Sequence, residues 1–506
     1  MSLRTAFPLA ALAAAFSFAA AAQGTPPQQQ PETGGLGGQN VPNPGGTGGS
    51  FTDPSLLFSG KSGAFFGLAF NSIQGEGVYA ATVINTEFNL GPVGLGLSLP
   101  VNVLLFNNDK CCAPDTSRDS KTYGGLIRKR DWDEPQDYTK FVRYLRYGHK
   151  RDPVYFLAGQ LWGASIGHGT LVSRYANSLN LDHPKFGLAL DLNGTYFGLE
   201  TLTDYVGDPA LLAARAYVRP LGDTPFLRGW AIGVTAVTDR TAPRSLAYNP
   251  NGSLQQDTTG NPIVAVNNAI WAGGVDTEFE VLHNSIISLI PYVDLNRLAG
   301  AGNGLHAGVL TDIYLPVPIL DINLQARLEY RMMQPGYIPE YFDQTYDLGR
   351  VQYAVTPAGA SAQVYVPKFT AAQQAHQTAA NPGAIERKGY YGELAFSFAG
   401  LLQIGGLYQN YEGDPDGASL GLFATFPKLE IVKISGYYLR KNMKSGFSDA
   451  FQIDERSLLA ASAAYKILGP LYLRVDMQRR YVLQPNSTQI KAINSFQAGL
   501  ASFVSF

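Results

Sequence analysis

Between Ile322 and Met332 the chain alternates without a break: Ile322, Leu324, Ala326, Leu328, Tyr330 and Met332 share one parity, and Asn323, Gln325, Arg327, Glu329 and Arg331 hold the other. Successive side chains face opposite ways only in an extended strand, so no helix fits this segment. Leu471 to Arg480 repeats the pattern, with Leu471, Leu473, Val475 and Met477 against Tyr472, Arg474, Asp476, Gln478 and Arg480. Both segments reach the ~9 to 11 residues with which a tilted strand crosses a bilayer.

Weaker copies follow the same rule. Leu212, Ala214, Ala216 and Val218 oppose Arg215, Tyr217 and Arg219, and Leu394, Phe396 and Phe398 oppose Glu393, Ala395 and Ser397. Similar patterns cover 228–238, 270–282, 304–315, 417–426 and 457–467. Downstream of Trp271 the links alternate in length. Tight ones fall at His283 and Asn284, around Pro316 to Pro318, at Ala399 and Gly400, at Pro427 and Lys428, and around Leu468 to Pro470. Longer ones cover 297–303, 333–389, 412–416, 441–456 and 482–491.

Single-chain outer-membrane barrels keep short turns at the periplasmic rim and longer loops outside. The expected fold is therefore an all-β, transmembrane, antiparallel up-and-down β-barrel of about 16 to 20 strands with long loops, an even number, with both termini periplasmic. Reaching 20 requires two weaker strands, at 62–72 and 140–148, and Phe141 to Tyr147 fits a short helix equally well. Pro291 cannot donate to a ladder, so a bulge is expected within 285–296.

Composition removes the competitors. No stretch of 18 or more apolar residues recurs beyond the N-terminus although 45% of the chain is hydrophobic, which excludes a helical membrane protein. Charged residues make up 15% of the chain, against about a quarter in soluble domains. The net charge of -2 argues against a nucleic-acid partner, which calls for a basic face. Arg4, the apolar stretch Phe7 to Phe18, and Ala20, Ala21 and Ala22 read as a cleaved export signal over 1–22. Residues 23–61 form a disordered Gly/Pro-rich segment, of which 23–50 serves as a plain spacer or a tail for periplasmic protein partners.

The chain ends on Phe506, after a run in which Phe496, Leu500 and Val504 share its parity. A last strand of this kind resembles the assembly signal of bacterial outer-membrane β-barrel proteins of the porin-like class. The resemblance covers about residues 62–506 and points to no specific subfamily. It implies an outer-membrane address, contact with membrane lipid and lipopolysaccharide, and handling by the barrel-assembly machinery.

A barrel of this size encloses more space than its side chains fill, so inserted segments become important. Two inserts stand out, at 106–139 and 333–389. The first lies in a strongly charged stretch, 110–152, that either folds inward or meets solvent and lipopolysaccharide with Arg128, Lys129 and Arg130. The second carries Tyr337, Tyr341, Phe342 and Tyr346 in its front half. The polar parity supplies lumen-facing candidates: Arg215, Arg219, Glu278, Glu280, Arg327, Glu329, Arg331, Arg474, Asp476 and Arg480. These either form an internal ladder of ion pairs or line a path that prefers anions.

Other chemistry is thinly supported. Ser165, His168 and Ser173 in SIGHGTLVSRY invite a nucleophile and base, yet their spacing fixes no triad, and the flanking glycines fit a turn. No histidine spacing suits a metal, no cofactor motif is present, and no catalytic residue is assigned. Cys111 and Cys112 are adjacent and read as a loop staple, an interchain pair or inert thiols. The expected function is a channel or transporter passing a solute or secreted polymer through a polar lumen. The alternative is a non-conducting structural barrel in an envelope machine for secretion, adhesion or surface motility.

Overall fold

The structure is a computed structural model that describes most of residues 62–505. It leaves out 1–61, 74–76, 108–126, 178–184, 251–253, 256–261, 356–363, 484–489, Phe506 and shorter pieces of other connections. The export signal, the 23–61 segment, the Cys pair, Lys129, Arg130 and Phe506 thus lie outside the described residues.

One antiparallel sheet closes on itself. Its 21 hydrogen-bonded segments include Ile270–Glu278 and Leu282–His283, two halves of a single interrupted strand, so the barrel has 20 strands. In chain order these are β1 (Gly63–Ile73), β2 (Gly77–Leu90), β3 (Val93–Asn107), β4 (Val142–Tyr147), β5 (Val154–Gly159), β6 (Gly187–Asn193) and β7 (Phe197–Thr203). Then follow β8 (Leu211–Val218), β9 (Ala231–Asp239), β10 (Ile270–Glu278, resumed at Leu282–His283), β11 (Ile287–Leu298), β12 (Gly302–Val317) and β13 (Leu320–Met333). The last are β14 (Arg387–Phe398), β15 (Leu402–Glu412), β16 (Ala418–Phe426), β17 (Val432–Met443), β18 (Ser457–Leu468), β19 (Leu471–Leu483) and β20 (Ile490–Ser505). Each strand pairs with its sequence neighbour, and β1 pairs with β20 from Gly63 opposite Ser505 to Asn71 opposite Gln497. Among the described residues, no helix is long and apolar enough to cross a membrane.

Burial along the strands is inverted relative to a soluble sheet. In β13, Leu328 is 58% exposed while Glu329 is 3% and Arg331 0% exposed. Leu394 and Glu393 in β14, and Leu473 and Arg474 in β19, divide in the same way. The oily parity faces outward, where a bilayer removes it from water, and the charged parity is enclosed. Leu500 and Val504 of the terminal strand also face outward, whereas the side chain of Phe496 lies outside the described residues.

Both weak strands form, as β1 and β4, which sets the count at the upper end of the expected range. The ambiguity at Phe141 resolves by division of labour: Pro135–Phe141 is a 3-10 turn, and the strand begins at Val142. The irregularity expected at Pro291 falls on its neighbour. β11 runs unbroken through Pro291, and three residues of β10, 279–281, stand opposite two of β11 between the Glu278–Tyr292 and Leu282–Leu289 pairs. Pro291 keeps its carbonyl, which accepts from the backbone N–H of Phe279 at 3.0 Å, so the partner strand carries the extra residue and β11 keeps its register with β12.

The connections 108–141, 160–186, 240–269 and 334–386 all leave from one rim, the outer one by the rule for long loops. Substitution Leu328→Arg, near the middle of β13 on the outward face, is expected to cost about 2–4 kcal/mol of folding stability in lipid vesicles. Urea titration against the unsubstituted chain checks this, and an unchanged midpoint would place Leu328 away from lipid.

Candidate functional site: an inserted unit on a charged wall

Two connections fold together into the lumen. The stretch around Val172 runs parallel to the stretch around Phe342: Glu340 N–H donates to Thr170 O at 2.9 Å, Phe342 N–H to Leu171 O at 3.0 Å, and Ser173 N–H to Phe342 O at 3.1 Å. Backbone bonds thus make one body of segments far apart in sequence. The helix α1 (Lys368–Thr378) packs on it through Phe369 and Ala372.

The unit meets the wall in two tiers. At the outer ends of β5 to β15, wall residues Leu157, Leu202, Leu211, Ile270, Leu298 and Met333 form one apolar cluster with Leu161, Val172, Tyr175, Tyr341, Phe342 and Tyr346 of the inserts. The full burial of these insert aromatics makes the outer tier a dry cap. Within it Lys368 donates to Tyr341 O at 2.5 Å and lies over the Tyr341 ring, and burial lowers its pKa. Asp343 is pushed up by burial, but Lys368 and Lys441 outweigh this and bring it to about 2.

A few residues further in, the contact becomes ionic. Glu329 accepts from Arg327 Nε at 2.6 Å, from Arg331 Nε at 2.5 Å and from the Tyr292 hydroxyl at 2.5 Å. Glu340, on the insert, lies 3.3 Å from Nη1 of Arg327 and 3.3 Å from Nη2 of Arg331. Arg174, also on the insert, donates to Glu393 at 2.6 Å and to the Tyr391 hydroxyl at 3.0 Å. Both insert anchors adopt left-handed backbone, φ 51° at Arg174 and 52° at Glu340. Such conformations cost on the order of 1 kcal/mol each in non-glycine residues, and they persist here where ion pairs and the shared backbone bonds fix the position.

His168 belongs to the inner tier of the unit. It sits at the tip of a turn closed by Gly169 N–H to Ile166 O at 3.1 Å, with φ 57° at Gly167 and 76° at Gly169, angles that suit glycine. Nδ1 lies 2.7 Å from Asp294 Oδ1 and Nε2 2.7 Å from Glu278 Oε2. Ionised carboxylates only accept, so both ring nitrogens must carry protons and the ring is an imidazolium. Burial by itself lowers the pKa of His168, but Asp294 and Glu278 outweigh it and hold it up at about 10. The ring stacks on Tyr292 with centroids 4.0 Å apart, and Thr170 donates to Asp294 at 2.5 Å.

The predicted lumen residues are distributed as follows. Arg215 binds Asp276 through Nε at 3.0 Å and Nη2 at 2.5 Å, and Glu200 through Nη1 at 2.9 Å. Arg327, Glu329 and Arg331 meet in one cluster, and Glu278 joins the His168 group. Arg474 donates to Asp476 two residues along β19, at 2.9 Å. Arg219 lies apart at the periplasmic rim, on Asn193 at 2.8 Å, and Glu280 pairs with His283 at 2.6 Å in the break of β10. The Arg480 side chain lies outside the described residues. The Ser and His reading gains no geometry, because Ser165 Oγ accepts from Arg174 N–H at 2.9 Å and both His168 nitrogens face carboxylates.

His168, Asp276 and Asp294 bring ligand atoms within 4.8 Å of one another. The donor set does not fit a metal ion, because Asp276 is engaged by the Arg215 guanidinium and His168 bonds Asp294 at hydrogen-bond length. The insert 160–186 is not among the expected plugs, yet its described part carries His168 and Arg174 to the wall. In the described part of the 108–141 connection Ile127 bridges Val103 alongside β3, and Arg128, Asp131, Asp137 and Lys140 are buried, with Asn102 of β3 donating to Asp131 at 2.8 Å.

No family model matches the chain, and no curated protein does. Solved structures that resemble it include OccK11 (OpdR) of Pseudomonas aeruginosa, at 11% identity and TM-score 0.31 over 88% of this chain and 96% of that one. Wzi of Escherichia coli, an outer-membrane protein involved in group 1 capsule assembly and described as a carbohydrate-binding β-barrel, is similar at 10% identity and TM-score 0.31, over 90% of this chain and 86% of Wzi. The siderophore receptor PirA of Acinetobacter baumannii matches at 10% identity and TM-score 0.32, over 88% of this chain and 80% of the receptor. By its own closure and inverted wall, the chain is a β-barrel of the outer-membrane kind.

Glu329 holds together two arginines, a tyrosine and a histidine. Removing it by Glu329→Leu leaves buried cations without their nearest anion and is expected to cost about 3–5 kcal/mol. Adding Arg331→Leu should return part of that loss, and a double-mutant cycle in urea checks the sign of the coupling.

Proposed function

We propose that the protein is an outer-membrane transport barrel, held closed in this conformation by its own inserts, through which a solute passes along a polar lumen when the inserted unit moves. One observation carries the reading: in the inner tier the unit touches the wall through charges, with His168, Arg174 and Glu340 set against Glu278, Asp294, Glu393, Arg327 and Arg331. A permanent filler is built at least as stably from apolar side chains, since replacing a buried ion pair by hydrophobic residues is often neutral or stabilising. Charged partners have a wet alternative, because each regains water when the surfaces part. Export by a signal cleaved after Ala22 and an outer leaflet of lipopolysaccharide belong to the same reading.

Planar-bilayer recording tests it. The unsubstituted chain should be closed most of the time, and a variant in which 162–176 is replaced by a short Gly-Ser linker should pass a steady current. The pair Arg174→Ala and Glu340→Ala, which keeps the apolar cap, should give brief openings. Variants that still show the slow-to-fast gel shift of a folded barrel on heating yet never conduct would overturn transport in favour of a non-conducting scaffold.

A further inference from the structure

We propose that the Ile166–Gly169 turn is an electrostatic latch: the His168 ring, seated between Glu278 of β10 and Asp294 of β11, locks the inserted unit to the lumen wall, and loss of that contact frees the unit. The inference rests on the reading of the protein as a transport barrel and names how its closure is controlled.

The geometry is that of a key in a seat. Left-handed positions on both sides of the histidine set it at the tip of the turn, and glycines occupy both. The side chain is 2% exposed, bridges carboxylates from two different strands, and has Tyr292 flat against one face. Around it the turn is fixed by Gly167 N–H donating to Glu200 at 2.8 Å and by Asn296 donating to Thr170 at 2.9 Å. Among the described residues, no other insert side chain joins two wall strands through a group whose charge can be removed in the ordinary range of pH. Arg174 pairs with Glu393 of one strand, Lys185 with Asp204 and with Asp347 of the insert, and Glu340 faces two arginines of one strand.

The surroundings favour a cation at this point. β7 presents Glu200, β8 Arg215, β10 Asp276 and Glu278, and β11 Asp294 with Tyr292; His306 of β12 lies beyond Asp294 and bonds Glu329. Arg215 serves Asp276 and Glu200 closely and reaches Glu278 only at 3.8 Å, so His168 is the cation that Glu278 and Asp294 share. Once the ring is neutral, two carboxylates on adjacent strands face each other across it. Repulsion and the gain of water then both favour withdrawal of the turn.

The sign follows from linkage. The seated ring titrates at about 10, above the ~6.5 of a solvated histidine, so the latch contributes fully below about pH 6.5 and loses its hold as pH rises through 10. Between these two values the closed-to-open ratio falls by up to about tenfold per pH unit, and above about pH 10 it levels off. The full chain in planar bilayers, recorded from pH 6 to pH 11, should show opening that rises near pH 10. His168→Gln should open at pH 7 and lack the alkaline rise, and Asp294→Asn should raise opening at pH 7 as an independent break of the seat. Folded His168→Gln and Asp294→Asn proteins as closed as the unsubstituted chain, beside a conducting 162–176 linker variant, would sink the latch and leave transport standing. If the linker variant is silent as well, the transport reading falls and the latch falls with it.

Discussion

The β1–β20 seam is the contact on which the rest depends. Hydrocarbon offers no partner to a backbone N–H or C=O, so a sheet survives there only if no edge remains, and the pairing of Gly63–Asn71 with Gln497–Ser505 removes the last one. Closure also fixes which face of each strand is enclosed. With the oily parity turned to lipid, residues such as Arg215, Asp294, Glu329, Arg331 and Glu393 are turned inward. The lumen wall is therefore polar by construction, and anything that occupies it must answer those charges.

The inserted unit answers them in layers. Where wall strands end in Leu157, Leu211, Ile270, Leu298 and Met333, the inserts bring aromatic rings, and burial of these groups supplies stability that does not depend on charge. Further in, the inserts bring Arg174, Glu340 and His168 to wall groups of opposite sign. The apolar tier is non-directional and sets the depth of the unit. The ionic tier has angular requirements and sets its register, which is why two anchor residues tolerate left-handed backbone.

How much of this was legible in sequence depends on the range of the interaction. The period of two in Ile322–Met332 and Leu471–Arg480 is a local property, and it led to the fold class, the polarity of each face and a strand count that includes β1 and β4. The alternation of tight and long links placed the long connections on one rim. The plug at 160–186 escaped because Ser165–Tyr175 has no period and reads as a glycine turn. Its meaning comes from Glu278 and Asp294, more than a hundred residues away, and no local pattern joins them to His168. Tyr337, Tyr341, Phe342 and Tyr346 were legible as packable, but their partners were not. The bulge at Pro291 was legible in cause and misplaced by one strand, because proline removes a donor and leaves its neighbour to adjust.

The distribution of anchors around the barrel bears on how the unit could move. On the arc from β7 to β14 the wall charges reach across to the inserts. On the remaining arc, among the described residues, they are mostly met within the wall or its own loops: Arg474 by Asp476, Arg440 by Asp449 at 3.0 Å, and Glu87 by Arg143 of β4 at 3.2 Å. Two lysines there do reach the inserts: Lys441 at the outer end of β17 lies 3.4 Å from Asp343 and is itself nearly half exposed, and Lys150 of the β4–β5 turn donates to Ser165 O at 2.8 Å. Small inward residues such as Ala69, Ala81 and Ala501 mark the same arc, where little side-chain volume projects from the wall. A body held tightly along one side and lightly along the other separates first at the light side, because ion pairs exposed to water are worth least. The unit would then turn about its deep contacts on β10 and β11, and those are the contacts made by His168.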